Sequence, residues 1–124
     1  MENLLKREQE LKEQLSYIGG QISRNKRRLW LEYNALYSLK LRAYEIKKYI
    51  ETYDDIDGFN LDINLSYKHI ELYKINKDIE WKRESVKDTE QAQRELTYEY
   101  KYLNRQLCKI QKRIKKKMGK INNQ

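Results

Sequence analysis

The sequence predicts an all-α chain: a long antiparallel helical hairpin with coiled-coil seams, completed to a helical bundle by oligomerisation. Three observations predict it. Apolar residues recur at heptad spacing along two long segments. One short stretch between those segments carries turn chemistry, and Pro is absent throughout. The composition agrees, with 39% apolar and 37% charged residues, a balance that suits long solvent-exposed helices. Disorder is the competing account of so much charge, and the register of the apolar residues argues against it. At 124 residues the chain is long enough for one helical domain with a core of its own.

Helix one is expected over about residues 2–53. Its d positions are Leu4, Leu11, Ile18, Asn25, Glu32, Leu39, Ile46 and Tyr53. The interleaved a positions are Glu8, Leu15, Ile22, Leu29, Leu36, Ala43 and Ile50. Gly19-Gly20 falls at e and f, off this seam, where each Gly costs about 1 kcal/mol relative to Ala. The pair permits a kink or the close approach of another helix. The alternative is a break between helices 2–18 and 21–53, with the terminal arms folded back.

The connector is expected at 54–64, within "ETYDDIDGFNLDIN". Its four Asp residues around Gly58 raise the question of a calcium loop. With Gly58 at the sixth position, Asp55 and Asp57 take the third and fifth. Tyr53 and Asn64 then stand where the first ligand and the bidentate carboxylate belong, so the turn reading is preferred and no metal is expected. Gly58, Asp57 and Asn60 favour a turn by their own chemistry, and Asn64 or Ser66 is expected to cap the next helix. Phe59, Leu61, Ile63, Leu65 and Tyr67 alternate with polar residues, which points to a short extended piece or a tucked loop.

Helix two is expected over about 65–118. Its a positions are Leu72, Ile79, Val86, Gln93, Tyr100, Leu107, Ile114 and Ile121. Its d positions are Ile75, Lys82, Thr89, Leu96, Leu103, Ile110 and Lys117. If the chain reverses at the connector, residue i faces roughly residue 118 − i. Asn25 then meets Gln93, and Glu32 lies within about a turn of Lys82, Val86 and Thr89. The polar interruptions of one seam thus meet those of the other, as a register-fixing layer should. Two helices of about 50 residues would run ~75 Å.

Two further surfaces stand out. Trp30, Tyr33, Tyr37, Leu41 and Tyr44 form a second stripe on helix one, with Ile70, Tyr73 and Trp81 on helix two. In the hairpin register Tyr37 lies opposite Trp81, and Tyr44 near Tyr73. The preferred account is a core face covered by self-association or by folded-back arms, because exposed patches of this size are uncommon in monomers. The competing account is a partner-binding face.

The second surface is basic. Tyr98, Tyr102, Arg105, Lys109, Lys112 and Lys116 follow one another at steps of four and three, away from the seam. Arg113, Lys115, Lys117 and Lys120 add to the tail, and "RNKRR" contributes Arg24, Lys26, Arg27 and Arg28. Cations along one side of a stiff element neutralise phosphates, and stacked Tyr adds contact with unpaired bases. The competing account is a solvated Lys-rich end that complements the helix dipole.

The net charge of +8 and pI near 9.4 favour acidic partners. A membrane partner is not expected, since the apolar stripe continues the coiled-coil seam rather than forming a broad face. The single Cys108 excludes an internal disulfide framework. It fits a reducing cytoplasm. "MENLLKREQELKEQ" lacks the apolar core of a signal peptide, and no apolar run has transmembrane length. His69 is the only histidine, and no phosphate-cradling Gly loop or nucleophile–base spacing appears, so a non-enzymatic role without a cofactor is expected.

In its Lys, Ile, Asn and Tyr bias the chain resembles proteins of AT-rich genomes. As a small basic all-helical chain it is similar to phage accessory proteins, some anti-CRISPR inhibitors among them. Two function classes follow. One is a self-associating helical module that binds nucleic acid or a nucleoprotein complex. The other is a phage-type inhibitor or adaptor that docks on a host nucleic-acid enzyme.

Overall fold

The computed structural model describes residues 1–54 and 61–122. It is an all-α helical hairpin of two helices, α1 (Glu2–Asp54) and α2 (Leu61–Asn122). Among the described residues there is no strand, and all but Met1 are helical.

The seams explain the packing. Every a and d position predicted on α1 is buried or half-buried. On α2 the same holds except at Tyr100, Lys117 and Ile121. Lys117 and Ile121 lie in the last two turns of α2 and are exposed.

The chain packs as two units. Unit 1 comprises Met1–Arg27 and Glu90–Gln124. Its core is Leu11, Leu15 and Leu107, with Leu103 and Ile110 packed against it. Asn25 Nδ2 donates to Gln93 Oε1 at 2.9 Å, the pairing that the seams require. Unit 2 comprises Arg28–Thr89. Ala43, Ile46, Ile50, Ile79 and Val86 are buried in it. Arg42 of α1 donates to Glu71 of α2 at 2.7 Å, and Lys68 reaches the same carboxylate at 3.2 Å. Those hydrogen bonds hold the Glu71 carboxyl below the usual range. With the partners this exposed, the pair adds little stability and serves alignment.

Two expectations change. Helix two begins at Leu61, not near residue 65, so the strand-like alternation of Leu61, Ile63, Leu65 and Tyr67 lies in helix. Helical burial is available there: Leu65 extends the seam by one heptad and is half-buried, while the Lys68 ammonium sits 5.3 Å from the Tyr49 ring centroid. Asn64 and Ser66 are therefore helix-interior residues, not caps. At Gly19-Gly20 α1 runs unbroken, so helix one is continuous as expected and the alternative break between residues 18 and 21 does not occur. A Cβ on Gly19 would lie 3.7 Å from the Tyr100 ring, an ordinary van der Waals contact, so the packing leaves room for a methyl at that position. The turn expected around Asp55, Asp57 and Gly58, in preference to a calcium loop, lies outside the described residues.

Candidate nucleic-acid interface

The charge is divided between the units. Unit 1 carries sixteen Lys and Arg against seven Asp and Glu, and unit 2 carries eleven against twelve. Unit 1 therefore holds a surplus of nine positive charges, while unit 2 is nearly neutral. The reason lies in α2, where Glu99 is the last acidic residue of the chain and nine Lys and Arg follow it.

Steps of four and three place Tyr98, Tyr102, Arg105, Lys109, Lys112 and Lys116 at alternating f and c positions, the outward side of an α-helix. All six are exposed, and α2 is continuous through them. Tyr98 is 75% exposed and Tyr102 53%. Among the described residues none of these four cations, nor Arg113, Arg24, Lys26 or Arg27, takes part in an ion pair. Paired cations lie elsewhere: Arg7 and Lys12 near the start of α1 in unit 1, and Arg42, Lys48, Lys68, Lys77 and Lys87 in unit 2, all have carboxylate partners.

The "RNKRR" run divides. Arg24 and Arg27 take outward positions of α1, and the Arg24 guanidinium lies over Gly20, with Nη1 3.6 Å from where a Cβ would stand. Lys26 points to another side by its e position. Arg28 belongs to unit 2 and is committed, its Nε donating to Glu32 Oε1 at 3.0 Å. Arg28 is therefore removed from the candidate interface.

Glu32 is the one buried carboxylate among the described residues, 7% exposed. It accepts hydrogen bonds from Arg28, from the Ser85 hydroxyl at 3.1 Å and from the Thr89 hydroxyl at 3.2 Å. Burial alone would push its carboxyl up. The hydrogen bonds from Arg28, Ser85 and Thr89 and the Arg28 charge together outweigh burial and hold it below the usual value. The sequence pointed to Lys82 and Thr89 as neighbours and missed Ser85 and Arg28. Both were findable, Ser85 one turn before Thr89 and Arg28 one turn before Glu32.

The aromatic stripe is not a core within one chain. Trp30, Tyr33, Tyr37, Leu41, Tyr44, Ile70, Tyr73 and Trp81 are all exposed. Lys48 covers Tyr44 at 5.5 Å and Lys77 covers Tyr73 at 5.5 Å, measured to the ring centroids. Trp81, the most exposed of the set at 81%, does not share the side that carries Tyr44. Tyr44 borders a groove with Lys40, Lys47, Asn76 and Arg83. Trp81 borders another with Leu39, Lys77, Asp78 and Ser85. Heptad position explains this, because Tyr37 and Tyr44 stand at b and Trp81 at c, on opposite flanks of the seam. By the same positions Tyr37 and Trp81 stand on opposite flanks of the seam, not facing one another as the register alone suggests.

His69 and Cys108 are exposed helix residues. Among the described residues no three His, Cys, Asp or Glu side chains gather as a metal site, and no helix is long and apolar enough to cross a membrane. Compared with protein-family models, curated proteins and solved structures, the chain matches none.

Proposed function

We propose that this chain is a non-enzymatic basic helical module that binds nucleic acid, free or within a nucleoprotein complex, through unit 1, and self-associates through unit 2. The observation that carries the first part is the confinement of the positive surplus to unit 1, with its outward cations free of acidic partners. Salt-bridged cations are half-neutralised before a phosphate arrives. Unpaired ones on a stiff helix release counterions from the nucleic acid at little cost in ordering. A cytoplasmic setting agrees with the lone exposed Cys108.

Self-association is assigned to unit 2 for an electrostatic reason. Copies of unit 1 repel one another, whereas copies of unit 2, near neutrality, do not. Unit 2 also carries the exposed Trp and Tyr side chains that supply contact area at low entropic cost. The same side chains support the second reading, an inhibitor or adaptor that docks on a host nucleic-acid enzyme by protein contacts.

A mobility-shift experiment with single- and double-stranded DNA and RNA separates the readings. Binding at low salt should fall on changing Arg105, Lys109, Lys112 and Lys116 to Gln. It should hardly change in Lys47→Gln with Lys48→Gln, control substitutions in unit 2. Equal losses in both would mean that net charge alone drives binding. Absence of binding to every nucleic acid at low salt would favour the docking reading.

A further inference from the structure

The outward row on α2 has two parts, and their order along the helix narrows the ligand. Tyr98 and Tyr102 come first, then Arg105, Lys109, Lys112 and Lys116. From Tyr98 to Lys116 the row is about 27 Å long, at 1.5 Å per residue, with successive side chains about 5 Å apart. Stacked B-form DNA spaces the phosphates of one strand about 3.4 Å apart along the axis and winds them away from any straight line. A strand with unstacked bases spaces its phosphates more widely and follows a straight row. Its bases then need faces to stack on.

The two rings at the start of the row are available for that purpose. Among the described residues no ammonium and no second ring covers Tyr98 or Tyr102. Tyr44, Tyr49 and Tyr73 of unit 2, in contrast, each carry a Lys ammonium 5.3–5.5 Å from the ring centroid. Base–aromatic stacking is tolerant of sequence, because every base has a π-face.

We infer that the ligand of this row is a single strand with unstacked bases, held by Arg105, Lys109, Lys112 and Lys116 on its phosphates and by Tyr98 and Tyr102 on two adjacent bases. The inference rests on the nucleic-acid reading above and narrows it to one class of ligand.

The test uses the full chain, fluorescence anisotropy at one low salt concentration, and three labelled ligands of equal length. These are an oligothymidylate, a duplex of mixed sequence, and an abasic deoxyribose-phosphate strand. The oligothymidylate should bind more tightly than the other two. Tyr98→Leu with Tyr102→Leu should weaken it by about tenfold for each ring, down to the abasic level. The same pair should leave duplex and abasic binding unchanged. Tyr98→Phe with Tyr102→Phe keeps both rings and should keep the affinity. Duplex binding as tight as oligothymidylate binding would overturn the strand preference and leave the cation reading standing. So would equal losses on all three ligands in the Leu pair. A Phe pair as weak as the Leu pair would overturn stacking as the cause. Failure of every ligand to bind would overturn the cation reading together with this one.

Discussion

Glu32 is the place where one substitution separates stability from specificity. In Glu32→Ala the buried layer loses an acceptor shared by both helices. The single Thr89 hydroxyl proton can turn to the Ser85 carbonyl at 2.9 Å, so it is not orphaned. Ser85 is half-buried and reaches water, and the Arg28 side chain, 67% exposed, resolvates easily. The loss therefore reduces to the hydroxyl–carboxylate bonds and the buried aliphatic stem. Hydrogen bonds to charged groups contribute about 1.5–3 kcal/mol, so Ala should cost roughly 2–3 kcal/mol of a total of about 5–15. Glu32→Leu places an apolar side chain at a buried d position and should be neutral or stabilising. Its effect should appear in register, as a less uniform alignment of the seams. Acid adds a second handle. The folded carboxyl lies below its unfolded value near 4.5, so its contribution is complete above that value and is lost as pH falls through the folded one. Urea unfolding followed by far-UV circular dichroism measures both effects. The gap between the native chain and Glu32→Ala should shrink from neutral pH to about pH 3. A gap under about 0.5 kcal/mol at neutral pH, or one that stays constant into acid, would refute the reasoning.

Other substitutions test the remaining parts. Gly19→Ala puts a Cβ in ordinary contact with Tyr100 at 3.7 Å, and Gly20→Ala meets only the movable Arg24 side chain. Each should raise stability by about 1 kcal/mol in thermal unfolding, and a loss would mean that the glycines serve a bend or approach absent from this conformation. Tyr37→Lys places a charge in the exposed aromatic stripe and should weaken self-association by about 2 kcal/mol, roughly a thirtyfold rise in Kd by sedimentation. A native chain that remains monomeric at high concentration would remove self-association outright.

The fold was legible because both seams are long and their polar interruptions match. Asn25 opposite Gln93 implies the antiparallel register, and the 2.9 Å bond between them lies where that register requires. The start of α2 was not legible. Leu61, Ile63, Leu65 and Tyr67 fit a two-residue period as well as a helical one, and only packing around Leu65 and Lys68 chooses between them. The side of Trp81 was misread because level along a hairpin is fixed by register, whereas side is fixed by heptad position. The partition of charge could have been seen in the sequence, as the absence of any acid after Glu99, but its meaning needed the boundary between the units. Arg28 looked like its neighbours in "RNKRR" until Glu32 proved to be buried one turn away.

Whether unit 1 binds nucleic acid by neutralising phosphates is tested most directly by the salt dependence of binding to an oligothymidylate. The slope of log K against log salt should fall by about 0.7 for each phosphate contact removed on a single strand. Changing Arg105, Lys109, Lys112 and Lys116 to Gln should therefore flatten the slope by about 2.8 relative to the native chain. An unchanged slope, with the helical content of the variant intact, would contradict the claim.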